Sequence, residues 1–166
     1  MEMRRILTTL LCAAAFTAAA ADRRAPGFSL VDSKAQEHDL ADYRGKPVLL
    51  AFIKTDCPHC AAFAQILQLA QQKYGDKIAV LAVVNHPDDP TTVNTFLASH
   101  KITYPILFDS GQMAYSYVLS QGLSYPQLFV IDAEGIIRAE YEYSPVTREI
   151  FEGDGLGPAI RPFLKK

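Results

Sequence analysis

The chain has 166 residues, with 16 lysines and arginines against 18 aspartates and glutamates, a formal net charge of −2. Hydrophobic residues make up 49% and charged ones 20%, which suits one globular domain with a sizeable core. No basic face, charge block, repeat or low-complexity stretch is present, so nucleic-acid binding has no support and charge says little about partners.

The first stretch reads as a targeting segment. Arg4 and Arg5 precede an apolar run from Ile6 through Ala15, followed by Phe16-Thr17 and Ala18-Ala19-Ala20-Ala21. A positive start, a short apolar core and small residues at the end describe a secretory signal peptide over residues 1–21. A membrane span needs about 20 apolar residues, longer than the Ile6–Phe16 core. Lipidation at Cys12 is an alternative to cleavage, but Thr9-Leu10-Leu11 lacks a small residue immediately before the cysteine. Residues 22–166 then form one domain with a net charge of about −3, destined for an oxidising compartment, periplasmic in a Gram-negative source.

Strand and helix patterns alternate from there. Arg23–Gly27 reads as a linker and Phe28–Val31 as a strand at a sheet edge, with a turn over Asp39–Lys46. Val48–Ile53 is an apolar strand, and Pro58–Tyr74 carries apolar residues at helical spacing up to Gly75. Ile78–Val84 has the unbroken apolar run of a buried parallel strand. A helix over Pro90–His100, a strand over Tyr104–Phe108 and a short helix over Gln112–Leu119 follow. Gln127–Ile131 and Ile136–Tyr141 flank Asp132-Ala133-Glu134-Gly135, a hairpin signature, and Leu156–Leu164 closes the chain as a short helix. The expected fold is α/β, a mixed sheet with helices on both faces.

Cys57-Pro58-His59-Cys60 sits where the strand over Val48–Ile53 gives way to the next helix. Two cysteines separated by two residues at such a junction suit reversible disulfide chemistry. Unpaired N–H groups and the positive end of the helix dipole stabilise a thiolate there, and thiolate is the reactive form. Structural zinc competes for the same motif but needs about four ligands. The only other cysteine is Cys12, and His86 and His100 stand in no paired ligand spacing. No cofactor or metal is expected.

The chain resembles the thioredoxin-like superfamily, on its secreted TlpA/ResA and AhpC/TSA-type redoxin branch. The matching residues run from Phe28-Ser29-Leu30 through Asp42–Pro47 to Cys57–Cys60, then Phe96-Leu97-Ala98, Ile102–Asp109 and Tyr125–Gly135. The helix and strand between Pro90 and Phe108 match the insertion that separates this branch from minimal thioredoxins. The resemblance implies a thiol-disulfide oxidoreductase, with Cys57 as attacking thiol and Cys60 as resolving thiol. His59 would favour the Cys57 thiolate, and Pro58 would stiffen the first helical turn. The same tetrad occurs in DsbA-like oxidants. Pro126 would be the superfamily's cis-proline beside the cysteine pair, with Tyr125 over the active site as a substrate contact. Pro105, also preceded by a tyrosine, receives no such role. Lys54 could add positive potential, although a solvated lysine at a strand end describes it as well.

Two positions depart from the family pattern. Residue 51 is Ala where thioredoxins carry a buried Asp, and residue 63 is Phe where ResA-like reductases carry Glu. The usual general base for Cys60 is therefore missing from both places. A peroxiredoxin-like thiol peroxidase is one rival, but Lys54 stands three residues before Cys57 where a threonine or serine is required, and Thr55 is two before. A Sco-like copper chaperone is another, with His86 as the distal ligand. The reading preferred over both is a monomeric, secreted enzyme exchanging disulfides with protein thiols and a redox partner, its direction of electron flow open.

Overall fold

The computed structural model describes residues 22–118 and 124–164. The signal-peptide segment, Cys12 and Leu119 lie outside the described residues. At the centre is β4 (Val48–Phe52), whose five residues are all buried. Its side chains alternate between two cores, as strand geometry requires. Leu49 and Ala51, continued by Ile53, enter one cluster, while Val48, Leu50 and Phe52 enter the other.

Among the described residues six strands assemble in one sheet, in the order β1 (Arg23–Arg24), β8 (Ile136–Glu142), β7 (Gln127–Ile131), β4, β5 (Ala79–Asn85) and β6 (Ile106–Asp109). β5 pairs parallel with β4 and with β6. β7 runs antiparallel to β4 and to β8. The β7–β8 hairpin is built as expected: Asp132 Oδ1 accepts from the N–H groups of Glu134 at 3.0 Å and Ile136 at 2.9 Å. Gly135 has φ 79° there, and a β-carbon on it would collide with the Arg44 guanidinium.

Helices cover both faces. α1 (Pro58–Tyr74) and α2 (Pro90–His100) pack on the face of Ala51 through Phe63, Ala64, Leu67, Val93 and Phe96. α3 (Gln112–Val118) covers the opposite face with Met113, Tyr117 and Val118. The architecture is thioredoxin-like, with α2 and β6 forming the inserted unit.

The structure departs from the sequence expectations in four places. Arg23–Arg24 is a two-residue strand, β1, on the outer edge of β8 instead of linker; there the Arg23 guanidinium reaches the Tyr117 carbonyl and lies 3.9 Å from Glu140. β2 (Ser29–Val31) pairs with β3 (Glu37–Asp39) in a separate two-stranded ribbon, which meets the edge strand β6 of the main sheet through an antiparallel bridge from Asp32 to Leu107. The ribbon forms because Asp32 Oδ1 accepts from Lys34 N at 2.8 Å and Gln36 N at 2.9 Å, closing a tight turn. A short helix, α4 (Arg148–Glu152), was not anticipated. The tail divides into α5 (Leu156–Ile160) and a 3₁₀ turn over Arg161–Phe163, in place of one helix.

Candidate active site

β4 delivers the chain to the start of α1, and the turn between them is pinned. Thr55 N donates to Asp88 Oδ2 at 3.3 Å, and its hydroxyl donates to Asp88 Oδ1. Cys57 is the N-cap of α1 with extended backbone (φ −101°, ψ 117°), and its sulfur accepts from Cys60 N at 3.3 Å. Pro58 takes the first helical position, where a missing N–H costs nothing. The thiol of Cys57 thus occupies the site that a capping oxygen fills in other helices, facing the positive end of a 17-residue helix.

The two cysteines differ sharply in surroundings. Cys57 is partly exposed, whereas Cys60 is fully buried in the cluster that holds Ala51 and Phe63. Burial, followed by the hydrogen bond with Cys57, pushes the Cys60 thiol well above the ordinary range for cysteine. The Lys54 N–H, 3.5 Å from Cys60 Sγ, pulls the other way. Ala51 and Phe63 line this pocket without offering a proton acceptor.

At the end of the sheet where β4 leads into α1, with Phe52 paired to Gln127, the Tyr125–Pro126 peptide bond is cis. Tyr125 donates its hydroxyl proton to Asn85 Oδ1 at 3.2 Å. Asn85 in turn donates to Asp109 Oδ2 at 2.8 Å, and Asp109 accepts the N–H groups of Met113 and Ala114 at the start of α3. The Lys54 ammonium lies 4.8 Å from the centre of the Tyr125 ring, a cation–π contact. Burial first, then the electrostatic influence of Cys60, Asp88 and Asp109, pushes the Tyr125 hydroxyl up to about 12. It stays protonated across the whole physiological range.

His59 is held by groups that the sequence did not reveal. Its Nδ1 bonds Glu152 Oε1 of α4, and its ring stacks on Tyr143 with centroids 4.4 Å apart and planes at 26°. Glu152 also accepts from the Tyr143 hydroxyl at 2.9 Å and from Arg148 Nε at 2.6 Å. The Arg148, His59 and Tyr143 donors, in that order, pull the Glu152 carboxyl down to about 2. Tyr143 joins this cluster to the Tyr125–Pro126 segment, since its N–H donates to the Pro126 carbonyl at 3.2 Å. The one local signal for α4 was an Arg–Glu pair four residues apart, between Pro145 and Gly153.

The two histidines weighed as metal ligands go elsewhere. His86 is exposed in the turn before α2, and His100 packs its ring 4.6 Å from that of Phe96. Among the described residues no three histidine, cysteine or acidic side chains are grouped as a metal would require.

Fold and site together define a thioredoxin-like oxidoreductase of the thiol–disulfide class. The sequence pattern of the AhpC/TSA family matches residues 21–140, and the chain belongs to that family. It is 32% identical over 118 residues to the thioredoxin-like protein YneN of Bacillus subtilis, covering 70% of this chain and 68% of that one. It is 32% identical over 123 residues to the thiol-disulfide oxidoreductase ResA of Geobacillus kaustophilus, covering 74% and 69%. A solved structure of a candidate thiol:disulfide interchange protein DsbE from Chlorobium tepidum superposes with a TM-score of 0.72 at 25% identity, over 87% of this chain and 98% of that one.

Proposed function

We propose that this enzyme exchanges disulfides through Cys57 as attacking thiol and Cys60 as resolving thiol. The observation that carries the assignment is the contrast between them: Cys57 is partly exposed as the N-cap of α1, and Cys60 is buried one turn inside. The Cys57 thiolate attacks one sulfur of a substrate disulfide and the other leaves as a thiolate, giving a mixed disulfide. Cys60, after losing its proton, attacks the Cys57 sulfur. The second substrate thiolate departs, a Cys57–Cys60 disulfide remains, and two electrons have passed to the substrate. The same steps in reverse oxidise a substrate dithiol.

Pro58 stiffens the helix start through its fixed φ, and the charge of His59 reaches the Cys57 thiolate only as far as its pairing with Glu152 leaves it free. The cis Pro126 and Tyr125 receive the substrate chain. Residues 1–21 act as a secretory signal and the enzyme works outside the cytoplasm, periplasmic in a Gram-negative cell, as a monomer. The charge pattern of Arg4-Arg5 before Ile6–Ala15 supports this reading. Among the described residues no helix is long and apolar enough to cross a membrane. Its partners are protein thiols and disulfides.

The test is trapping. Cys60→Ala should accumulate mixed disulfides with protein substrates, and Cys57→Ala should not. Trapping through Cys60 in the absence of Cys57 would reverse the roles. Turnover of insulin with thiol should far exceed turnover of hydrogen peroxide, because the Thr55 hydroxyl is committed to Asp88. A peroxide rate that matched the insulin rate and vanished in Cys57→Ser would move the enzyme to the peroxidases.

A further inference from the structure

The clearest unassigned feature of the site is a carboxylate 93 positions away from the residue it binds. Glu152 is held ionised by its three donors, and an ionised carboxylate only accepts hydrogen bonds. The proton in the His59–Glu152 contact therefore sits on His59 Nδ1. His59 lies two residues after Cys57 in the first turn of α1, and its Nδ1–H is spent on Glu152. The stacked Tyr143 fixes the ring plane, so the imidazole is constrained on one edge and one face.

We propose that Glu152 is a positioning residue for the exchange reaction: it withholds the His59 ring from the Cys57 thiolate and sets a negative charge beside it, limiting the oxidising power of the Cys-Pro-His-Cys motif. The reasoning is electrostatic. A thiolate exists only in the reduced protein, so any group that stabilises it favours the reduced state and makes the disulfide a stronger oxidant. An imidazolium free to turn toward Cys57 would do so. One paired with a carboxylate presents a dipole of nearly zero net charge, whose influence at a distance is weak. The other charged groups facing the motif are few. Arg148 is itself paired with Glu152, Lys54 lies over the Tyr125 ring, Asp88 is bonded to Thr55, and Asp56 is exposed in the turn before Cys57. Removal of Glu152 thus leaves both His59 and Arg148 without their acidic partner.

The inference rests on Cys57 as the attacking thiol, and the experiment separates the two claims. Wild type, Glu152→Ala, His59→Ala and the double variant are equilibrated with glutathione buffers at neutral pH. Glu152→Ala should shift the equilibrium toward reduced protein about three- to tenfold, as expected when His59 beside the motif loses its acidic partner. His59→Ala should matter little in the wild type but should cancel most of the gain in the Glu152→Ala background. That non-additivity is not expected of a residue that merely supports the fold. Glu152→Gln, which keeps an acceptor for Tyr143 and Arg148 but lacks the charge, serves if the alanine variant is unstable, and its shift should have the same sign. An unchanged equilibrium, a shift toward disulfide, or simple additivity of the two substitutions would overturn the proposal. Loss of mixed-disulfide trapping by Cys57 in otherwise folded protein would instead refute the underlying assignment of the thiols.

Discussion

Phe63 of α1 and Phe151 of α4 meet edge to face, with ring centroids 4.7 Å apart and planes at 63°. Both rings are fully buried, and the contact fixes α4 against the helix that carries the cysteines. Because Glu152 follows Phe151 directly, this apolar contact decides where the carboxylate points. Where the ResA-like pattern has an acid at position 63, this chain has an aromatic ring that seats a different acid, from another helix, on His59.

Phe151→Ala should therefore act on stability and on redox behaviour together. Deleting a fully buried phenylalanine costs about 3–5 kcal/mol. The unfolding midpoint in urea should fall accordingly, and the glutathione equilibrium of the folded variant should move in the same direction as in Glu152→Ala. A destabilised protein with a wild-type equilibrium would show that α4 holds its position without this contact.

The resolving step should be strongly pH-dependent. Burial and the hydrogen bond with Cys57 push the Cys60 thiol up, so its thiolate is scarce at neutral pH and grows about tenfold for each pH unit. Release of a preformed mixed disulfide, followed by stopped-flow between pH 6 and 8, should accelerate by about that factor per unit. A flat profile would mean that a base removes the proton, despite the lack of one at Ala51 and Phe63.

Tyr125 should govern protein substrates more than small ones. Its hydroxyl is anchored through Asn85 to Asp109, and its ring lies under Lys54. Tyr125→Ala should raise KM for a protein disulfide several-fold and leave the rate with oxidised glutathione within about twofold, since a small disulfide needs little of that surface. Equal loss with both substrates would place the residue in the exchange chemistry itself.

Acid stability should depend on Asp132. Burial raises its carboxyl, but the N–H of Ile136, Arg138 and the N–H of Glu134 outweigh burial and hold it below the usual range. A group whose folded value is depressed stabilises the fold above its unfolded value, about 3.9, and that contribution fades as pH falls below it. Asp132→Asn should lose roughly 1–2 kcal/mol at pH 7. The gap to wild type should narrow progressively as the pH is taken below that unfolded value, as measured by urea unfolding at a series of pH values. A difference independent of pH would assign the effect to the turn geometry alone.

The parts of the molecule built on periodic apolar residues were legible in the sequence. α1 shows a period of 3.6 and β8 a period of 2, while β4, β5 and β7 are unbroken apolar runs bounded by turn residues, and the cysteine motif could be placed at the start of α1 from that pattern. The missed elements share the opposite property. β1 is two arginines, β3 is Glu37-His38-Asp39, and α4 is five residues long. None has a repeat to read, and each is held by tertiary partners: β8 for β1, the Asp32 turn for β3, Phe63 for α4. The site was accordingly legible on its cysteine side. The Glu152 contact could not be read, because a hydrogen bond across 93 positions leaves no local pattern.

The short helix that places Glu152 also bears on how such a motif could be transplanted. Gly155 follows it, and a β-carbon there would meet the Glu149 backbone at 2.8 Å, so the loop admits no side chain without shifting α4. Copying Cys57–Cys60 into another thioredoxin-like scaffold would carry the histidine but not the distant acid that partners it. The grafted tetrad would arrive chemically identical and electrically incomplete, with a potential of its new host's making.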